Sequence, residues 1–134
     1  MTESLDSSVM LPACGQGIIG IECKADDRQT NAAIALLHDK DAADRVTAER
    51  SLNAALGGSC TTPIAAFAEL DGDQLMLRAL VGMPDGSVII RASGSDERGK
   101  AYELGRAVAG QLLSNGGDSV LAQFNPGVLK PPGA

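Results

Sequence analysis

The sequence predicts an α+β fold: a three-stranded antiparallel sheet covered on one face by helices and preceded by an orphan strand. Three observations carry this reading. Three consecutive runs between Ile64 and Ala92 change side-chain character with a period of two, as strands with one buried face do. Two short turn sequences, Asp71-Gly72-Asp73 and Pro84-Asp85-Gly86, join those runs, which implies an antiparallel meander. Apolar stripes at helical spacing flank the meander, around Ala48 to Leu56 and Ala101 to Leu112, and can cover one of its faces.

Each element follows from local chemistry. Met1 to Met10 is polar and without a period, and Leu11-Pro12-Ala13-Cys14-Gly15-Gln16-Gly17 reads as an irregular loop. Ile18 to Cys23 is short, apolar and β-branched, which predicts a strand, yet it has no evident pairing partner in the chain. Asp26 or Asp27 caps a first helix running to about Leu37. Asp41 caps a second, with Asp44 in the first turn, where negative charge is favoured. Ala48, Leu52, Ala55 and Leu56 form its core stripe, and Gly57-Gly58 stops it. In the meander, Ile64, Ala66, Ala68 and Leu70 share one face; Leu75, Leu77, Ala79 and Val81 continue it, followed by Val88, Ile90 and Ala92. Ser95 caps a last helix with Asp96 and Glu97 at its positive end; Ala101, Leu104, Val108 and Leu112 are its stripe, and Gly116-Gly117 ends it. The compact unit is thus 26–123, with residues 1–25 ahead of it. The tail 124–134, rich in proline and glycine, is expected to be flexible.

Composition bounds the function. With 134 residues the chain suffices for one domain, 44% of it apolar, but Phe67, Tyr102 and Phe124 are the only aromatics. The core is therefore aliphatic and the stability modest. A net charge of −6, with no cluster of lysine and arginine, argues against nucleic acid or an anionic membrane as partner. The expected protein is soluble and cytoplasmic, having neither an apolar run of membrane-spanning length nor a signal-like opening. Cys14, Cys23 and Cys60 are odd in number and widely spaced, and His38 is the only histidine, so no metal site is expected. Unpaired thiols suit a reducing compartment.

Few residues suggest chemistry. Cys60, between a helix end and a strand, is either a small buried hydrophobe or a thiol presented by a loop. The negative end of the preceding helix disfavours its thiolate. Gly15-Gln16-Gly17 could bring backbone amides to an anion but lacks phosphate-loop spacing. Cys14 and Cys23 read as structural, His38 as solvated or end-capping, and Arg45 with Glu49 as an i, i+4 pair on a solvated helix face. No carboxylate pair or Ser/His/Asp grouping stands out. Residue chemistry alone describes a small cytoplasmic α+β domain with a loop thiol.

Longer motifs add a resemblance. Met10-Leu11-Pro12-Ala13-Cys14-Gly15-Gln16-Gly17-Ile18-Ile19-Gly20-Ile21-Glu22-Cys23, the helix segment Arg45-Val46-Thr47-Ala48-Glu49-Arg50-Ser51-Leu52-Asn53, the loop Gly57-Gly58-Ser59-Cys60-Thr61-Thr62-Pro63-Ile64-Ala65 and the hairpin from Arg78 to Gly86 occur in one order. Together they resemble the C-terminal portion of the hydroxymethylbilane synthase (porphobilinogen deaminase) family. Members condense four porphobilinogen molecules head to tail on a dipyrromethane primer, held to a cysteine as a thioether. The resemblance implies that Cys60 carries this cofactor and that Gln16 and Gly17 line the pyrrole site. It implies no catalytic residue in this chain, because the family's aspartate and its substrate-binding arginines and lysine lie in two preceding domains. On the same grounds residues 1–25 are the crossover from those domains, and the orphan strand belongs to the sheet of the first. The implied partners are porphobilinogen, the growing pyrrole chain and the N-terminal domains in cis or in trans. The chain alone is then expected to be inactive and unloaded. A non-catalytic cofactor-bearing subunit of a split enzyme and an inert truncated product remain the alternatives.

Overall fold

In the computed structural model, residues 3–124 are described, and everything below refers to them. Helix α1 spans Arg28–Ala35 and α2 spans Lys40–Ala55. Strands β1 (Ile64–Asp71), β2 (Gln74–Gly82) and β3 (Ile89–Glu97) follow, then α3 (Ala101–Leu112) and the short α4 (Asp118–Leu121). The sheet is antiparallel throughout, in the order β1-β2-β3, with Ala66 opposite Ala79 and Ala79 opposite Ala92. This is the expected α+β meander. Ala66, Ala68, Leu75, Leu77, Ala79 and Val81 face α2 and α3 and are buried, and Ala48, Leu52 and Leu56 with Leu104, Val108 and Leu112 complete the core.

Several boundaries differ from the sequence reading. Asp27 does cap α1, its carboxylate accepting from Thr30 N at 3.0 Å, but the helix ends near Ala35 and buries no residue. The cap of α2 is Asp39, not Asp41, which sits in the first turn. Asp44 has a larger task than charge at a helix end. With Asp41 it grips Arg98, at 2.6 Å from Asp41 and 2.7 Å from Asp44, and so ties the end of β3 to the start of α2. Ser95 is no cap, because β3 runs on to Glu97 and Ser95 pairs with Met76. The alternation that marks a strand fades there because position 94 is glycine: a Cβ at Gly94 would lie 3.1 Å from Val108 and 3.2 Å from Leu104. Backbone pairing therefore continues where side-chain alternation does not. Gly116, at φ 100, kinks the chain, which re-enters helix as α4 and buries Val120 and Leu121. Phe124, assigned from sequence to the tail, packs against the core, while 125–134 lie outside the described residues.

Residues 18–23 form no strand and pair with none of β1–β3. Ile19 is 90% exposed and Ile21 53%. The apolar run predicted a strand, but a strand needs a neighbour to satisfy its backbone, and the edge of β1 nearest in sequence is taken by other groups.

A core poor in aromatic rings compensates by close approach. At the α2–α3 crossing, a Cβ built on Gly105 would run into Ala48 O and Ser51 Oγ. Ser51 Oγ donates to Tyr102 O at 2.5 Å across the same contact. Gly105→Ala should therefore destabilise the fold by about 1–3 kcal/mol, through overpacking against backbone that cannot yield. Gly110→Ala, on the open side of α3, should stabilise it by about 0.5–1 kcal/mol. Urea unfolding midpoints will read both; equal effects would contradict this packing.

The candidate cofactor site

Two loops attached to β1 hold the residues singled out from sequence. The first follows α2. Gly57, at φ 65, turns the chain out of the helix, and Gly58 N donates to Asn53 O at 2.8 Å. A hydroxyl network then folds the loop on itself. Ser59 N donates to Thr62 Oγ1 at 3.0 Å, Ser59 Oγ lies 2.9 Å from Thr62 Oγ1 and 3.1 Å from Thr61 Oγ1, and Thr62 N returns a bond to Ser59 O. Thr62 is buried and Cys60 is exposed on the outside of the turn. Pro63 O accepts from Gly82 N, which pins the loop to the sheet where β1 begins. Of the two readings open for Cys60, the structure shows the exposed one: serine and threonine hydroxyls bond within the loop, and the thiol faces solvent.

The other two thiols are partly buried. Cys14 packs against the core, and its pKa is raised to about 11, first by burial and then by the nearby Glu49 carboxylate. Cys23 Sγ donates to Asn31 Oδ1 at 3.2 Å.

The second loop contains Gln16 and Gly17. It is a tight turn with Gly15 at φ 75 and Gly17 at φ 81. Gln16 N donates to Ala13 O, Ala13 N to Gln16 Oε1 and Ile18 N to Gly15 O, so the turn is closed by its own groups. Gln16 and Gly17 themselves are exposed. Two links seat the turn on the body: Pro12 O accepts from Ala66 N at 3.1 Å, and Glu49 accepts from Gly15 N at 2.6 Å.

Glu49 is the residue that the sequence reading misplaced. It is 5% exposed, and its second oxygen accepts from Ala68 N at 2.8 Å. Arg45 does not form the i, i+4 pair with it but donates through Nε to Asp41 O. The signal available in the sequence was adjacency. Glu49 lies beside Ala48 in the buried stripe, and a helix face about 100° wide takes in such a neighbour. Burial raises the pKa of Glu49 above its ordinary value, outweighing the lowering by the hydrogen bonds from Gly15 and Ala68.

Between the 14–21 segment, α1 and α2 lies a cleft of about 790 Å3, whose wall includes Cys14, Ile18, Ile34, Val46, Arg50 and Asn53. Cys60, Gln16 and Gly17 are not part of its lining. No helix among the described residues is long and apolar enough to cross a membrane.

The fold is a three-stranded antiparallel sheet backed by helices, with an exposed thiol on a hydrogen-bonded loop. Comparison with known families agrees: residues 43–114 match the model described as porphobilinogen deaminase, C-terminal domain, and residues 1–32 match porphobilinogen deaminase, dipyromethane cofactor binding domain. The chain belongs to the porphobilinogen deaminase family, the hydroxymethylbilane synthases of tetrapyrrole synthesis, and is associated with the dipyrromethane cofactor.

The thiol environments give an order of reactivity. A thiol with a pKa of about 11 is roughly one part in a thousand thiolate at pH 8. Alkylation of the native chain by iodoacetamide, mapped by mass, should modify Cys60 first and Cys14 last. Equal rates at Cys14 and Cys60 would contradict the site.

Proposed function

We propose that this chain is the primer-bearing C-terminal domain of a hydroxymethylbilane synthase, with Cys60 as the thioether attachment point and Gln16 and Gly17 as contacts for the pyrroles. The observation that carries the reading is the exposure of Cys60 on a loop braced by hydrogen bonds between Ser59 and Thr62. The residues present suit the cofactor: attachment needs one accessible sulfur, and Cys60 supplies it on a turn held by the Ser59–Thr62 hydrogen bonds. Cys60 Sγ would hold the group through a single carbon–sulfur bond, its thiol proton passing to solvent and ammonia being the leaving group. When bound, dipyrromethane supplies the pyrrole end to which porphobilinogen adds. The Gln16–Gly17 turn contributes polar backbone and side-chain groups beside β1.

Condensation itself draws, in this reading, on groups outside residues 1–134: the family's N-terminal domains, in cis or in trans. Each added pyrrole brings two carboxylates, whereas this chain has a net charge of −6. Arg78 is held by Glu69, and Arg98 by Asp41 and Asp44. Without a positive field the chain cannot gather such a product, so it is inactive alone. A cytoplasmic setting belongs to the same reading, since Cys14, Cys23 and Cys60 are all free thiols.

Intact mass under reducing conditions is the test, because a thioether survives reductant. Co-expressed with the N-terminal domains of a porphobilinogen deaminase, the wild-type chain should gain the mass of two linked pyrrole units, and Cys60→Ser should gain none. Loading that persists in Cys60→Ser, or that maps to Cys14 or Cys23, would overturn the assignment.

A further inference from the structure

We propose that Glu49 is a positioning residue for the pyrrole site: its carboxylate sets the Gln16–Gly17 turn against the strand that leads away from Cys60. The inference rests on the reading of Cys60 and the Gln16–Gly17 turn given above, and deepens it. One oxygen of Glu49 holds Gly15 N and the other holds Ala68 N, donors that lie 34 and 19 residues away in sequence. Gly15 immediately precedes Gln16. Ala68 lies on β1, whose first residue follows the Cys60 loop directly. A single side chain on α2 therefore measures the offset between the turn and the cysteine-bearing segment.

The way the turn is built separates positioning from folding. Its shape comes from bonds inside it, Gln16 to Ala13 and Ile18 to Gly15, none of which involves Glu49. Its place on the body comes from Glu49, from the Pro12–Ala66 bond and from Cys14 packed against the core, and of these Glu49 alone holds the residue next to Gln16 by a hydrogen bond. Removing the carboxylate should leave a turn that keeps its form and loses its location. The chemical requirement is specific. Two N–H donors approaching from different elements need two acceptor oxygens on one group, which a carboxylate has. Glutamine offers one oxygen and an NH2 that cannot accept. Aspartate is shorter by one methylene and cannot span both donors.

The test uses the chain co-expressed with the N-terminal domains, as wild type, Glu49→Gln and Glu49→Asp. Thermal unfolding, intact mass, amide exchange at Gly15 and steady-state turnover of porphobilinogen are all measured. The expected result is a loaded, folded Glu49→Gln protein with faster exchange at Gly15 and kcat/KM lower by about 10- to 100-fold, the penalty typical of small misplacement. Glu49→Asp should behave alike, and it carries the test if Glu49→Gln does not fold. Wild-type kcat/KM in a loaded variant would overturn the proposal, as would a loss that merely follows the unfolded fraction. Unchanged exchange at Gly15 would overturn it whatever the turnover. Absence of the pyrrole mass from the wild type would instead refute the Cys60 reading, leaving exchange at Gly15 to decide on Glu49.

Discussion

The carboxylate of Glu49 joins three parts of this molecule that no other side chain connects among the described residues: α2, which bears it, β1 through Ala68 N, and the loop through Gly15 N. An edge strand must dispose of the N–H groups that point away from its neighbour. On β1 the amide of Ala66 is taken by Pro12 O, from the segment that carries Gln16 and Gly17, and that of Ala68 by Glu49 on α2. Burying a carboxylate is unfavourable unless its oxygens are bonded. Here each oxygen has a backbone donor, and the upward pKa shift is the residue of the burial that those bonds do not offset. The same charge, close to Cys14, helps hold that thiol in its protonated form. One side chain thus seats the loop on the body, takes an edge amide of β1 and adds to the burial that keeps the Cys14 thiol protonated.

Around this link the core works by closeness rather than by bulk. Gly94 lets α3 lie low over β3, and Gly105 lets it approach α2 until backbone and side chain touch. Ser51 and Tyr102 add a hydrogen bond at that crossing, and Arg98 locks the far end of β3 to the first turn of α2. The helix that carries Glu49 is therefore fixed at its first turn and along its length, which is what a side chain needs if it is to locate a loop. The opposite face of the sheet is dressed more lightly. Arg78 lies over Phe67, pairs with Glu69 and holds Ser7, drawing the 3–10 segment across it.

The meander was legible because Leu75, Leu77, Ala79 and Val81 must all face one way, and period two is hard to mistake over such a run. The stripes of α2 and α3 were legible for the same reason. What escaped was governed by contacts distant in sequence. Ser93 to Glu97 carries no apolar alternation, yet it continues β3 through backbone pairing with β2, where Gly94 lets Leu104 and Val108 of α3 approach. Glu49 looked like half of a surface pair because local spacing offered Arg45, while its true partners lie on β1 and before α1. Asp39 and Asp41 are equally good caps by chemistry, and only the path of the chain into α2 separates them. For Cys60 the local residues left burial and exposure open; the motifs pointed to the loop, and the hydroxyl network gives the physical reason the thiol is outside.

The linkage of Glu49 to folding has a definite sign. Its pKa in the fold lies above the ordinary 4.5, so the folded state binds its proton more tightly than the unfolded state does. Its favourable contribution is complete below pH 4.5 and is lost as pH rises through the folded value, the reverse of an exposed, hydrogen-bonded aspartate such as Asp27. The most direct measurement is a carbon-detected NMR titration of the Glu49 carboxyl, with the Gly15 and Ala68 amide protons followed in the same samples. The account predicts a Glu49 midpoint above 4.5, with both amide resonances shifting through that same transition. A midpoint at or below 4.5, with the Gly15 and Ala68 amides unmoved, would contradict it.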